Sequence, residues 1–352
     1  MVDEQNVEGR DRNFSPWVAW SRQLEQVVDK YPMPESLGDI PAWRARLRGR
    51  LSDMLVTFPR YVPPEVEVTD SVDCGSYRRD RLVFDSEVNM SIPAFLLVPH
   101  ARTERGPAVL AVHGHGGGKS DVCGTDDVSN LADASKLSEP GAPRGHFAHD
   151  LAERGYMVLA PDLRCFGERA DLQSDDRDPC DINLVHAYMA GQNPMSQNIH
   201  DLTVCLDVLE QEPLADSARI GVVGFSYGAA AAMFLSAWDQ RVRTTVLSGY
   251  FSSWRAAHQI PGNMCGSDVL QGMLGELEHT DIGALIAPRP MFVETGSNDL
   301  LFPVDAARGA AADLGRVYEA MKAPADALEH EVFDGGHQWN GVRAYPFLDR
   351  WL

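Results

Sequence analysis

What is scarce in this chain narrows its chemistry before any motif does. Basic residues are outnumbered, 31 Lys and Arg against 51 Asp and Glu, for a formal net charge of −20. A surface so charged repels phosphate backbones and anionic lipid headgroups, so neither nucleic acid nor membrane is expected as a partner. No apolar run approaches the roughly 18 residues of a membrane span, and the opening residues Met1 to Arg10 hold no basic region followed by an apolar core. The expected location is therefore cytoplasmic. Cysteine is sparse and scattered, at 74, 123, 165, 180, 205 and 265, with no C-x-x-C pair and no zinc spacing. Thiols used in this way suit a reducing compartment, where they serve as small apolar side chains. Internal repeats and low-complexity tracts are absent as well.

What is present is enough apolar material for a large core: 44% hydrophobic residues in a chain of 352. Trp17, Trp20, Leu24, Val27 and Val28, then Trp43, Leu47, Leu51 and Leu55, recur at spacings of three and four. That periodicity predicts a helical N-terminal arm over residues 1–60, packed on its own domain or across a homo-oligomer interface. Residues 61–352 form the expected main domain. Val66 to Val68, Arg81 to Phe84 and Ile92 to Val98 read as antiparallel edge strands. Short apolar runs then alternate with helical patterns: Ala108–Val112, Met157–Ala160, Ile220–Val223, Thr245–Leu247, Met291–Glu294 and Glu331–Phe333. Buried parallel strands read this way, so the fold class expected is α/β, a doubly wound and mostly parallel sheet. Residues 119–143 and 166–193 are polar and too long for ordinary connections; they are expected as insertions bordering the carboxyl ends of the strands, where function gathers.

The run Arg219-Ile-Gly-Val-Val-Gly-Phe-Ser-Tyr-Gly228, continuing into Ala229 to Ala232, is the most informative stretch. Strand, Gly224-Phe225-Ser226-Tyr227-Gly228 and helix follow one another as in a nucleophile elbow, which stands Ser226 above the sheet at the positive end of a helix dipole. A serine hydroxyl needs a base, and the base needs a carboxylate to orient it. Asp299 follows the strand Pro290–Glu294 and His337 follows the last strand after two glycines, completing the order Ser, Asp, His. Glu294 is the reserve acid. After Ala108–Val112 comes His113-Gly-His115-Gly116-Gly-Gly118-Lys119, a turn able to aim backbone N–H groups at a developing oxyanion. The Tyr227 N–H is one expected donor, and that of His115 or Gly116 the second. Gly118-Lys119-Ser120 ends like a P-loop, but the position of its leading glycine is His113. His113 with His115, and His146 with His149, lack a third ligand at a known spacing, so no metal is expected.

With these motifs assembled, the chain resembles an α/β-hydrolase of the dienelactone hydrolase and acetyl xylan esterase-like branch. The resemblance rests on the His113–Lys119 turn, Ala160-Pro161-Asp162 leading to Phe166-Gly167-Glu168-Arg169, the elbow, Ala287-Pro288-Arg289-Pro290, Asp299 with Phe302-Pro303, and Gly336-His337. It spans roughly residues 90–352 and implies a serine hydrolase with Ser226, Asp299 and His337 as its triad. The expected reaction is two-step acyl transfer on a small-molecule ester, with small acyl esters of a carbohydrate or natural product foremost and no cofactor. A lactone, amide, thioester or carbon–carbon bond would use the same machinery, and a non-catalytic binder would use the same fold. Arg164 and Arg169 are candidates for gripping a substrate carboxylate or hydroxyl, or else for an internal ion pair. Tyr250, Phe251, Trp254 and Trp339 follow strand ends and are candidates for an apolar substrate pocket, or else for the core.

Overall fold

A computed structural model describes residues 12–55, 58–125, 145–170, 179–260 and 263–352. β1 (Glu67–Asp73), β2 (Tyr77–Glu87) and β3 (Met90–Pro99) make an antiparallel meander at one edge, as the alternating pattern predicts. β1 is exposed along its whole length, and its charged sequence Glu-Val-Thr-Asp-Ser-Val-Asp blunts the open edge against pairing. β4 (Gly106–Val112), β5 (Met157–Pro161), β6 (Ala215–Phe225), β7 (Val242–Ser248), β8 (Met291–Gly296) and β9 (Leu328–Phe333) run parallel. β3 pairs antiparallel with β5, which joins the two parts in the order β1-β2-β3-β5-β4-β6-β7-β8-β9. Each apolar run of the sequence falls inside one of these strands.

The helices divide between the two faces. α2 (Ile40–Met54), α6 (Pro194–Gln211), α7 (Tyr227–Trp238), α9 (His279–Ile286) and α10 (Val304–Ala320) share one core with Ala108, Leu110 and Val112 of β4. α3 (Lys119–Cys123), α4 (Phe147–Glu153) and α11 (Ala344–Trp351) share the other with Val109 and Ala111. This period-two division of β4 is what burial on both faces of a strand requires. α1 (Pro16–Glu25), α5 (Pro179–Met189) and α8 (Trp254–His258) complete the helices of the described residues. Helix starts are written locally: Pro16 and Pro194 occupy first-turn positions, behind caps in which Ser15 Oγ accepts from Val18 N–H and Asn193 Oδ1 from Ser196 N–H. Of the two expected insertions, 126–143 and 171–178 lie outside the described residues; the remainder holds α3, a 3₁₀ turn at Gly167–Arg169 and α5.

β4 has β5 on one side and β6 on the other, so the chain's winding direction reverses there. The crevice beyond the carboxyl end of β4 is where such sheets place a ligand. The arm's second helix belongs to the main core, since Ile40, Trp43, Leu47 and Leu51 are buried in it. Among the described residues, no helix is long and apolar enough to cross a membrane.

Candidate active site

Ser226 lies between β6 and α7 with φ 55° and ψ −121°, a sparsely populated conformation that costs on the order of 1–3 kcal/mol. The surrounding packing enforces it. A Cβ at Gly224 would lie 2.2 Å from the Gly228 carbonyl oxygen, and one at Gly228 would lie 2.1 Å from that of Val112. Strand, turn and helix therefore approach one another closer than any side chain permits. Ser226 N–H donates to the Ser248 carbonyl at 2.8 Å, fixing the turn from the neighbouring strand. Ser226 is largely buried, 9% exposed.

His337 Nε2 lies 2.8 Å from Ser226 Oγ, and His337 Nδ1 lies 2.9 Å from Asp299 Oδ2. The other oxygen of Asp299 accepts from the N–H groups of Leu301 (2.8 Å) and Phe302 (3.2 Å), which holds the carboxylate toward the ring. The loops that carry Asp299 and His337 are stitched together: Ser297 N–H donates to Phe333 O at 2.8 Å and Asn298 N–H to Gly335 O at 2.9 Å. A Cβ on Gly296 would collide with Gly336 O. Gly249, at φ +61°, leaves room for the His337 ring, which packs between Phe225 and Phe302. The three residues singled out from sequence thus meet in one hydrogen-bonded chain.

Glu294 is fully buried and points elsewhere. It accepts from Ser248 Oγ (2.7 Å), Asn340 N–H (2.9 Å) and Gly341 N–H (3.0 Å), and so anchors the segment after His337. Burial pushes its carboxyl up to about 7, against the pull of those hydrogen bonds. Its place is structural, beneath the loop that carries His337.

The glycine-rich turn comes up against the elbow: a Cβ on Gly114 would be 2.9 Å from Phe225 O and 3.2 Å from Ser226 Cβ. Tyr227 opens α7, so its N–H has no intrahelical acceptor. Gly116 takes φ +151°, which glycine adopts freely. His113 does not line this space. Its Nδ1–H donates to Gly114 O at 2.7 Å and its Nε2 accepts from Leu163 N–H at 2.9 Å, while burial pushes the imidazole below its ordinary value and keeps it neutral. Lys119 ion-pairs at 2.5 Å with both Asp162 and Glu168, so its ammonium braces the turn instead of awaiting a phosphate.

The two arginines form an internal network. Arg164 grips Asp201 with two hydrogen bonds, at 2.8 and 2.9 Å, and reaches Glu87 at 2.6 Å. Arg169 donates to Asp201 at 2.8 Å and to Asp162 O at 3.1 Å. Burial alone would raise the Asp201 carboxyl, but Arg169 and Arg164 hold it well below the carboxylate range. Trp254, 2% exposed, donates to Tyr250 Oη at 3.1 Å and packs on Phe234 and His279. Trp339, 6% exposed, donates to Tyr345 Oη at 3.2 Å and packs on Phe147. Tyr250 and Phe251 are buried with Trp254 in the same core.

One grouping escaped the sequence. A ring nitrogen of His115, Cys180 Sγ and Cys265 Sγ all lie within 4.8 Å of one another. The three come from the glycine-rich turn after β4, the start of α5 and the segment between α8 and α9, and only the tertiary fold brings them together. The His115 ring also packs on Tyr227 and Phe166, so this cluster touches the residue that follows Ser226.

The profile of an abhydrolase family matches residues 24–312. Over 322 residues the chain is 26% identical to "Putative hydrolase YtaP" of Bacillus subtilis (strain 168), covering 88% of this chain and 100% of that one. Among solved structures, a "putative acetyl xylan esterase" of Bacteroides fragilis NCTC 9343 superposes with a TM-score of 0.74 at 18% identity, covering 93% of this chain and 84% of that one. A glucuronoyl esterase of Solibacter usitatus superposes with a TM-score of 0.64 at 16% identity, covering 92% and 95%. At those identities the likeness is one of fold.

Proposed function

This chain belongs to the abhydrolase family, and on that premise we propose that it is a serine-dependent carboxylic ester hydrolase working through an acyl-enzyme. The observation that carries the proposal is the hydrogen-bonded chain from Ser226 Oγ through His337 to Asp299, set at a strained strand-to-helix turn. His337 Nε2 takes the hydroxyl proton as Ser226 attacks the ester carbonyl. The N–H of Tyr227 and one from the His115–Gly116 turn receive the oxyanion, each donor lowering the barrier by about 3 kcal/mol. Protonated His337 then hands its proton to the leaving alcohol. Water, deprotonated by the same ring, releases the acid, while Asp299 holds the Nδ1–H tautomer throughout.

For the substrate we propose a small acyl ester of a carbohydrate or natural product. The names of the superposing structures, acetyl xylan esterase and glucuronoyl esterase, support the carbohydrate ester. Because Arg164 and Arg169 are spent on Asp201, a substrate anion has to be held by other groups. Hydrolysis of p-nitrophenyl esters from acetyl to octanoyl tests the reading, with intact-mass detection of a fluorophosphonate adduct. Turnover is expected to fall with acyl length, and Ser226→Ala to lose roughly 10⁶ in kcat together with the adduct. Turnover that survives in Ser226→Ala, or a folded wild type inert to the whole series and to the probe, would overturn it.

A further inference from the structure

The grouping at His115 has the make-up of a closed metal site. We propose that His115, Cys180 and Cys265, with Asp268 as the fourth donor, hold a structural zinc ion beside the oxyanion turn. Imidazole and thiolate together select zinc over the hard cations that carboxylate and carbonyl oxygens prefer. Zn–S bonds of about 2.3 Å and Zn–N bonds of about 2.0–2.1 Å in a tetrahedron separate ligand atoms by roughly 3.5–3.8 Å. The three atoms already lie within 4.8 Å of one another, so closing on an ion needs side-chain shifts of only about 1 Å.

The fold brings these donors together by specific means. Gly266 N–H donates to Asp181 Oδ1 at 3.1 Å, tying the residue after Cys265 to the residue after Cys180. A Cβ on Gly266 would lie 2.4 Å from Leu184 Cδ2, so a glycine there lets the loop press against α5. Asp268, 5% exposed, neighbours His115 and hydrogen-bonds Cys265 through its carboxyl, and its Oδ1 is buried with no hydrogen-bond partner among the described residues; the carboxylate stands outside the 4.8 Å grouping, so it has to turn inward to reach the ion. An orphaned carboxylate oxygen inside a protein is costly, and a bound cation satisfies it. A Cys180–Cys265 disulfide is the rival use of the same thiols, but it leaves this oxygen orphaned. Four protein donors leave no open position for water, so the ion's work is to hold. It would clamp the oxyanion turn, through the His115 side chain, to α5 and to the segment between α8 and α9.

The test is direct metal binding and does not depend on the ester hydrolase reading. The full-length chain, stripped with chelator under reducing conditions, is titrated with Co²⁺ and then Zn²⁺. The expected result is one equivalent of Co²⁺ per chain, with the intense visible bands of tetrahedral cobalt and a near-ultraviolet thiolate charge-transfer band, both removed by Zn²⁺. Cys180→Ser and Cys265→Ser lose the charge-transfer band, whereas Cys74→Ser, outside the cluster, retains it. Asp268→Asn keeps a thiolate signal but binds more weakly, by at least the roughly 10–100-fold that losing a second-shell partner costs. Should a cysteine variant fail to fold, the wild-type spectrum decides on its own. A wild type without thiolate charge transfer, equal loss in Cys74→Ser, or a Cys180–Cys265 disulfide mapped in peptides of unreduced protein would each overturn the proposal.

Discussion

Glu294 and Asp299 leave the same strand end, yet only Asp299 touches the His337 ring. Asp299→Asn would turn an amide toward Nδ1 and favour the wrong imidazole tautomer, so kcat for p-nitrophenyl acetate is expected to fall by about 10⁴ with the fold intact. A loss under tenfold would mean that another group orients the base. Glu294 answers to a different measurement. Its carboxyl titrates near 7 in the fold against 4.5 ordinarily, a gap worth on the order of 3 kcal/mol. Because the raised value favours the neutral form, this stability is fully present below pH 4.5 and lost as pH rises through 7. Glu294→Gln carries no titrating group; its amide oxygen can take the Oε1 position and still receive the Ser248 hydroxyl and the Asn340 N–H, while the Gly341 N–H, served by Oε2, loses its acceptor at either pH. Urea unfolding at pH 4.5 and pH 8 should therefore show wild type losing about 3 kcal/mol more than the variant across that interval. Parallel pH dependences would assign the buried charge elsewhere.

Asp201 acts at the scale of elements: from α6 it holds Arg164 and Arg169 of the segment after β5, and Arg164 in turn reaches Glu87 at the end of β2. Removing its charge leaves two buried guanidinium groups sharing too little negative charge, so Asp201→Asn should cost roughly 3–5 kcal/mol in denaturant unfolding. A cost under 1 kcal/mol would show that water serves the arginines instead. The strands were legible because parallel strands buried on both faces are written as unbroken apolar runs, and Ser226, Asp299 and His337 were legible because glycines mark the turns that present them. The partners of the arginines were not. Asp201 is 37 residues from Arg164 and Glu87 is 77, and nothing in the local pattern announces a contact of that range. Trp254 and Trp339 read ambiguously for a similar reason, since a large ring after a strand end suits a pocket and a core alike. The grouping of His115 with Cys180 and Cys265 was not legible because three segments distant in sequence supply it.

The N-terminal arm matters at the scale of the whole molecule. Its first helix and the residues that follow are strapped to α8 and the segment before α9: Arg255 donates to Leu24 O and Val27 O, at 3.2 and 3.0 Å, and Lys30 N–H donates to Gly275 O. Its second helix is part of the interior, where Arg44 donates to Ala284 O at 2.6 Å and to Ala287 O beneath α9. Phe14, Trp20 and Val28 are left exposed. These are the most exposed large apolar side chains among the described residues of the arm, so Trp20→Lys in the full chain is the substitution to follow by gel filtration, and unchanged elution would place any contact elsewhere. Deleting the whole arm addresses a different property. Ile40, Trp43, Leu47, Leu51 and Leu55 are all buried, and at roughly 1.5–3 kcal/mol each their burial sums to on the order of 10 kcal/mol. Net domain stability is itself only about 5–15 kcal/mol. A chain beginning at residue 56 should therefore expose the core of one sheet face and fail to fold, losing its cooperative thermal transition by circular dichroism. A chain beginning at residue 37 retains α2 and should melt cooperatively at a lower Tm. If the shorter chain folded as cooperatively as the longer, α2 would be an appendage and its buried face would have to be satisfied within the remaining chain.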